Sequence, residues 1–369
     1  MEKISFIIIF FSWLVSLPVV LIRLVYSITI IPITEYLHIN YFLSSVILSS
    51  FFLGYLIFSL PMNHFVDKYG YRVIGISMLF LSLLIFLFTF VINFIDAIIL
   101  MVLIGVTATP TYTGAIKLIS DRIKYYRATA IGILNTTGPI VLFLSSFILP
   151  SYLNQYRWQL IYVYISIFTI AVGIPFFFIK NTSFYSTKKS INIKSIIASL
   201  VKFFGLWGMW GTSTYLFLLV HYYFHLSLID SGIITGIFAI GGLISVFTIG
   251  FISDMFKKRE EISKIFLILF FVVLAIFSFL PVSSLYLFSF ILGFIAFGYK
   301  TPLDTYISEI TKGKEATSMG LANLISQPSS IIVPIIIGYT IAFTENVTMA
   351  FILLSIGPLI AFLLIMKLK

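Results

Sequence analysis

Apolar residues fall in unbroken blocks along this chain, separated by short polar turns in which most of the lysines and arginines are gathered. The blocks run to roughly 20 residues, the length a helix needs to cross the hydrocarbon core of a bilayer. They predict spans at 5–33, 41–63, 72–92, 96–119, 128–150 and 158–179. A second series follows at 203–222, 231–252, 264–281, 284–308, 316–341 and 347–366. A membrane barrel would instead alternate over about ten residues, so strands are not expected. Pro18, Pro110, Pro139, Pro302, Pro328 and Pro334 lie inside these blocks. In a bundle, neighbouring helices and hydroxyls satisfy the backbone groups a proline frees, so these positions predict kinks within helices. The first block, from about Ile4, is too long for a signal-peptide core and reads as a retained span. The expectation is an all-α membrane protein of twelve transmembrane helices.

The two series are related. Ile119, Ser120, Lys124, Ala128, Thr129, Gly132 and Asn135 recur as Ile307, Ser308, Lys312, Ala316, Thr317, Gly320 and Asn323. Chance would give roughly one or two identities over such a stretch. Asp121 also maps to Glu309 and Gly105 to Gly293, while Asp67 and Arg72 map to Asp254 and Arg259. The chain therefore divides into a six-helix bundle over 1–180, a linker over 181–202 and a second bundle over 203–369. Paired repeats of this kind place a substrate site at the interface of their halves in many secondary transporters.

Composition changes the picture less than pattern does. Charged residues make up 10% and hydrophobic ones 60% of the 369 residues, with mean hydropathy +1.13. A soluble domain carries roughly 25% charge. Cysteine is absent, which removes disulfides and thiolate metal sites. The formal net charge is +10, and it is one-sided. Lys3, Lys68, Arg72, Arg122, Lys124, Arg127, Lys180, Lys188, Lys189, Lys194, Lys257, Lys258, Arg259, Lys264, Lys312, Lys314, Lys367 and Lys369 fall on one face, against Arg157 alone on the other. Positively charged loops stay in the cytoplasm, so both termini and the linker are expected there, in a multi-pass protein of the cell membrane. This bias leaves no basic surface to argue for nucleic acid. The linker NTSFYSTKKSINIKS is short and polar, as suits a tether.

The turn after the second span, in SSFFLGYLIFSLPMNHFVDKYGYR, carries Asp67, Lys68, Gly70 and Arg72. It resembles the signature loop of the major facilitator superfamily, G-x-x-x-D-R/K-x-G-x-R/K, with Asn63 in place of the first glycine. Its counterpart GFISDMFKKR retains that glycine as Gly250, with Asp254 and Arg259. The resemblance implies two pseudo-symmetric six-helix bundles, the MFS fold, and a cytoplasmic gate held partly by these acids and bases. It also implies a transporter that works as a monomer. Physically, a carboxylate near helix N-termini accepts backbone N–H groups and can pair with a nearby arginine. The plainer alternative is a basic turn that only sets topology. The run RLVYSITIIP, with Arg23 and Pro32, followed by FFLGY, is similar to the anion:cation symporter branch, although Ile22 stands where that branch usually has an aspartate.

Arg23 lies in the middle third of its span, where a charge costs at least about 2.5–3.5 kcal/mol. It is either an anchor for an anionic substrate, through its planar fork, or half of a buried structural pair with Asp304. Tyr26, close to one turn on, shares its face. Lys300 and Asp304 stand at i and i+4 on one helix face. They form a substrate-binding base with a proton-coupling acid, or a structural ion pair beneath a kink at Pro302. Asn135, Asn323 and Gln327 complete the substrate-binding candidates, as cavity-lining amides or inter-helix hydrogen bonds. His221 and His225 are i,i+4 but read as wetted interfacial residues, and no metal or cofactor is expected.

A polytopic membrane enzyme would need clustered acids or histidines at one interface, or a sizeable extramembrane loop. Neither is present in the sequence, so no enzymatic activity is expected. The favoured reading is a secondary transporter of a small organic anion that works by alternating access between the two bundles. Symport with H+ or another cation stays open. The alternatives are efflux of hydrophobic or cationic compounds, and sugar transport. Cation efflux would favour an acidic cavity, whereas Arg23 and Lys300 outnumber Asp304.

Overall fold

The structure, a computed structural model, describes residues 3–123, 127–179, 193–310, 315–344 and 346–368. All regular structure among them is helical. The first half comprises α1 (Lys3–Tyr36), α2 (Tyr41–Tyr69), α3 (Arg72–Phe88), α4 (Phe94–Arg122), α5 (Arg127–Asn135), α6 (Thr137–Leu153) and α7 (Trp158–Gly173). The second comprises α8 (Ile193–Tyr223), α9 (Leu228–Phe256), α10 (Arg259–Ile276), α11 (Leu285–Gly298), α12 (Lys300–Glu309), α13 (Glu315–Ser326), α14 (Ser329–Thr344) and α15 (Val347–Ile365). Eleven helical stretches among the described residues are long and apolar enough to cross a membrane. The twelfth expected span is α3, apolar over 17 residues and so at the short end of what spans a bilayer.

Three expected spans are broken, and proline supplies the reason. Pro139 lies in the first turn of α6 and Pro302 in the first turn of α12. There the missing N–H has no helical acceptor to lose. A continuous helix would have required those N–H groups to reach Asn135 and Gly298, so the chain turns at Thr136 and Tyr299 instead. Pro328 separates α13 from α14 in the same way. The break at Thr136 is held by Trp13, whose Nε1 donates to the Thr136 hydroxyl at 3.2 Å. At the other break, the Ser263 hydroxyl donates to the Tyr299 carbonyl at 3.2 Å.

The described chain forms two compact units, Met1–Val141 with Tyr152–Tyr185, and Leu142–Ser151 with Ser186–Lys369. Each is built on the same frame. In the first, α2 and α4 approach until a Cβ on Gly54 would overlap the carbonyl oxygen of Val102, and one on Gly105 that of Phe51. In the second, α9 and α11 repeat this. A Cβ on Gly241 would overlap the Phe290 carbonyl, and one on Gly293 that of Phe238. Small residues let backbones meet in this way where no hydrophobic force draws helices together.

The turns repeat as well. Asn40 caps α2 by accepting from the Leu43 N–H, and Ser227 caps α9 by accepting from the Asp230 N–H. His38 and His225, just before these caps, both have positive φ, 52° and 50°. Gly70 ends α2 at φ 78°, and Lys257 ends α9 at φ 52°, each returning its N–H to the carbonyl four residues back. The repeat is thus visible in matched caps and in positive φ at matched positions, including pairs whose residues differ, such as Asn40 and Ser227.

The linker ends earlier than expected. Helix α8 starts at Ile193, because polar composition gives way after Lys194 to a stretch whose Ser195, Ala198, Ser199 and Lys202 are buried at helical spacing. Residues 180–192 of the linker lie outside the described chain.

Candidate functional site: a lysine–aspartate–lysine cluster in the second unit

The break at Tyr299 sets Lys300 and Asp304 at the start of a new helix, α12. Their i,i+4 spacing brings Lys300 Nζ to 2.9 Å from Asp304 Oδ2. The other carboxylate oxygen, Oδ1, is 2.7 Å from Nζ of Lys202 on α8. Lys202 also donates to Oδ1 of Asn323 on α13 at 2.9 Å. Three helices of one unit therefore converge on one carboxylate. Lys202 is 4% exposed at its side chain, Asp304 19% and Lys300 24%, so Lys300 is the more accessible of the two cations. With both lysines charged the cluster carries one net positive charge.

Sequence reasoning placed Lys300 and Asp304 together but left Lys202 as the last residue of the linker, next to the span expected from 203. The early start of α8 puts it well inside the helix, and this corrects that expectation. Both oxygens of Asp304 are paired with lysines of its own unit.

The remaining candidates stand as follows. Arg23 is partly buried in α1 between fully buried Ile22 and Leu24. The Tyr26 hydroxyl is fully buried and donates to the Ser44 carbonyl at 2.9 Å, tying α1 to α2. Asn135 accepts from the Tyr112 hydroxyl at 2.8 Å. Asn135 and Asn323, matched in the repeat, each accept one hydrogen bond within their own unit. Gln327 stands at the α13–α14 break, where the Ser330 hydroxyl is 3.5 Å from its Oε1, at the limit of a hydrogen bond. The His221 ring closes a local turn through Nδ1 and the Leu226 carbonyl at 2.7 Å.

Of the expected gating residues, the side chain of Asp67 lies outside the described residues. Lys68 and Arg72 are exposed at the end of α2 and the start of α3. Gly70 supplies the positive-φ turn between them, a conformation open to glycine at little cost. In the second unit, Arg259 at the start of α10 reaches three groups. It contacts Asp254 at 2.6 Å, the Ser253 hydroxyl at 2.8 Å and Glu309 at 3.3 Å. The ends of α9, α10 and α12 are thereby tied at one arginine. Glu309 is the repeat partner of Asp121, and its part in this contact was missed from sequence.

Two duplicated sets of membrane-crossing helices, with a buried charge cluster at a broken helix, fit a membrane transporter rather than an enzyme. The chain belongs to the Major Facilitator Superfamily, whose sequence profile matches residues 4–334. It is a multi-pass membrane protein. Among solved structures it is similar to a bacterial homolog of the human lysosomal transporter Spinster in an inward-facing, occupied conformation. There the TM-score is 0.81 at 14% identity, covering 100% of this chain and 97% of that one. The same homolog, inward-facing and unoccupied, matches with TM-score 0.71 at 14% identity over 100% and 96% of the two chains. A mutant of the nucleoside transporter NupG matches with TM-score 0.79 at 12% identity over 99% and 100%. At these identities the likeness shows the fold. No curated protein matches the sequence.

Proposed function

We propose that the chain moves a small organic anion across the cell membrane by alternating access of its two bundles, with both termini in the cytoplasm. The observation that carries this reading is the double claim of Lys202 and Lys300 on one carboxylate. An incoming carboxylate or phosphate can take Lys300, the more exposed partner, while Lys202 and Asn323 keep Asp304 in place. The site then approaches neutrality without a hydrophobic or cationic solute having to enter a basic cluster, which weighs against efflux of such compounds. Arg23 is the corresponding candidate anion anchor of the first unit, and the similarity of its RLVYSITIIP run to the anion:cation symporter branch supports the same solute class. The cluster already holds an uncompensated positive charge, so a monoanion needs no accompanying proton for charge balance. H+ symport through Asp304 is therefore not required by this reading.

Uptake into proteoliposomes tests it. Lactate, succinate, benzoate and glucuronate are set against glucose and tetraphenylphosphonium. Accumulation of an anion, lost in Arg23→Ala at normal insertion, is expected. Transport of tetraphenylphosphonium or glucose with no anion transported would defeat the reading.

A further inference from the structure

Tyr299 is the residue at which α11 stops and α12 begins, and it is 0% exposed. Its backbone is fully used. The Tyr299 carbonyl accepts from Leu303 N–H and from the Ser263 hydroxyl, both at 3.2 Å. Its phenolic hydroxyl, by contrast, is buried and has no hydrogen-bond partner among the described residues. The ring lies against Gly205 on α8, where a Cβ would stand 2.8 Å from the hydroxyl oxygen. Lys202 is three residues before that glycine, so the hydroxyl is held beside the same stretch of α8 that supplies the buried lysine. Lys202, on that stretch, holds Asp304 Oδ1 at 2.7 Å.

A sealed hydroxyl without a partner is costly, and phenylalanine would fill the same space without that cost. In the repeat, the position corresponding to Tyr299 is Thr111, whose hydroxyl is satisfied locally by the Ala108 carbonyl at 2.7 Å. The first unit therefore has no idle group at this place. The acceptor nearest in character to what Tyr299 lacks is the Asp304 carboxylate, whose two oxygens are both occupied by lysines here.

We infer that Tyr299 is a positioning residue that takes over Asp304 when Lys300 is drawn away by the transported anion. In that state Oδ2 loses its ammonium partner and accepts the phenolic O–H instead. The carboxylate then stays paired on both sides, by Lys202 and by Tyr299, while Lys300 holds the solute. The exchange gives the cluster two arrangements with the same number of contacts to Asp304. It rests on the anion reading for its trigger, but the exchange itself can be tested with no solute present.

Lys300→Met imitates the departure of the ammonium. Thermal unfolding of the purified protein in detergent is measured for wild type, Tyr299→Phe, Lys300→Met and the double variant. Tyr299→Phe is expected to leave the wild-type melting temperature within about 1 °C, or to raise it. In the Lys300→Met background the same change is expected to lower it by about 3 °C or more. Lys300→Ala serves as the parallel background should the methionine not be accommodated. An equal effect of Tyr299→Phe in all backgrounds would overturn the inference, since the hydroxyl would then answer to a fixed water or to packing. A failure of the anion panel above would leave this cycle unaffected, so the two ideas fall separately.

Discussion

Lys202 on α8 and Asp304 on α12 meet at 2.7 Å, and the same ammonium holds Asn323 on α13 at 2.9 Å. The lysine thus fixes the broken helix α12 to two neighbours through one side chain. Removing one partner of such a buried pair is costly, because the other charge is left uncompensated. Lys202→Met leaves Asp304 with Lys300, a balanced pair, whereas Asp304→Asn leaves two ammonium groups facing each other. The expected order of destabilisation is therefore Asp304→Asn above Lys202→Met, with the former costing about 3–5 kcal/mol. Thermal unfolding in detergent measures both, and the reverse order would show that Asp304 is not held as described.

The glycines that seat α2 on α4 and α9 on α11 predict a matched pair of effects. Gly54→Ala and Gly241→Ala each push a methyl into a carbonyl oxygen of the facing helix. Each should cost about 1–3 kcal/mol, as overpacking does, and by similar amounts, since they occupy one position of the repeat. If Gly241→Ala melted like wild type while Gly54→Ala did not, the two units would not share this contact.

Arg259 joins three helix ends, yet Asp254 is 76% and Glu309 52% exposed. Ion pairs with solvated partners contribute little to stability, about 0–1 kcal/mol. Arg259→Ala should therefore barely change the melting temperature while altering turnover several-fold, because the tie belongs to the proposed cytoplasmic gate. Equilibrium solute affinity and uptake rate, measured on the same preparation, separate the cases. A large loss of stability with turnover unchanged would make Arg259 a structural anchor.

Much of the frame was legible because the bilayer forces it into the sequence. Apolar runs must match a fixed thickness, and all twelve expected spans coincide with helical stretches of the structure. Lys300 and Asp304 were legible because helical spacing alone brings them together. Lys202 was not, since its partner Asn323 is 121 residues away and no local rule joins them. The breaks at Tyr299 and Thr136 were foreseen only as kinks, because proline alone does not mark a break: Pro18, Pro110 and Pro334 stand inside continuous helices. The turns escaped notice for another reason. Gly70 and Lys257 share a positive φ but no side chain, and alignment by identity passes over such a pair. The charged cluster shows the converse. Asp304, Lys300 and Lys202 correspond to Ile116, Tyr112 and Val15 of the first half, so the frame is duplicated and the chemistry is not.

That asymmetry makes ligand-induced stabilisation the most direct test of the anion site. A bound solute at 100 times its dissociation constant adds about 2.7 kcal/mol to the folded state. Purified wild-type protein and Lys300→Met are melted with and without lactate, succinate, benzoate, glucuronate, inorganic phosphate, glucose and tetraphenylphosphonium. Stabilisation of the wild type by at least one anion, abolished in a folded Lys300→Met, is the expected result. An anion response that survives unchanged without Lys300, or stabilisation by tetraphenylphosphonium alone, would contradict the account.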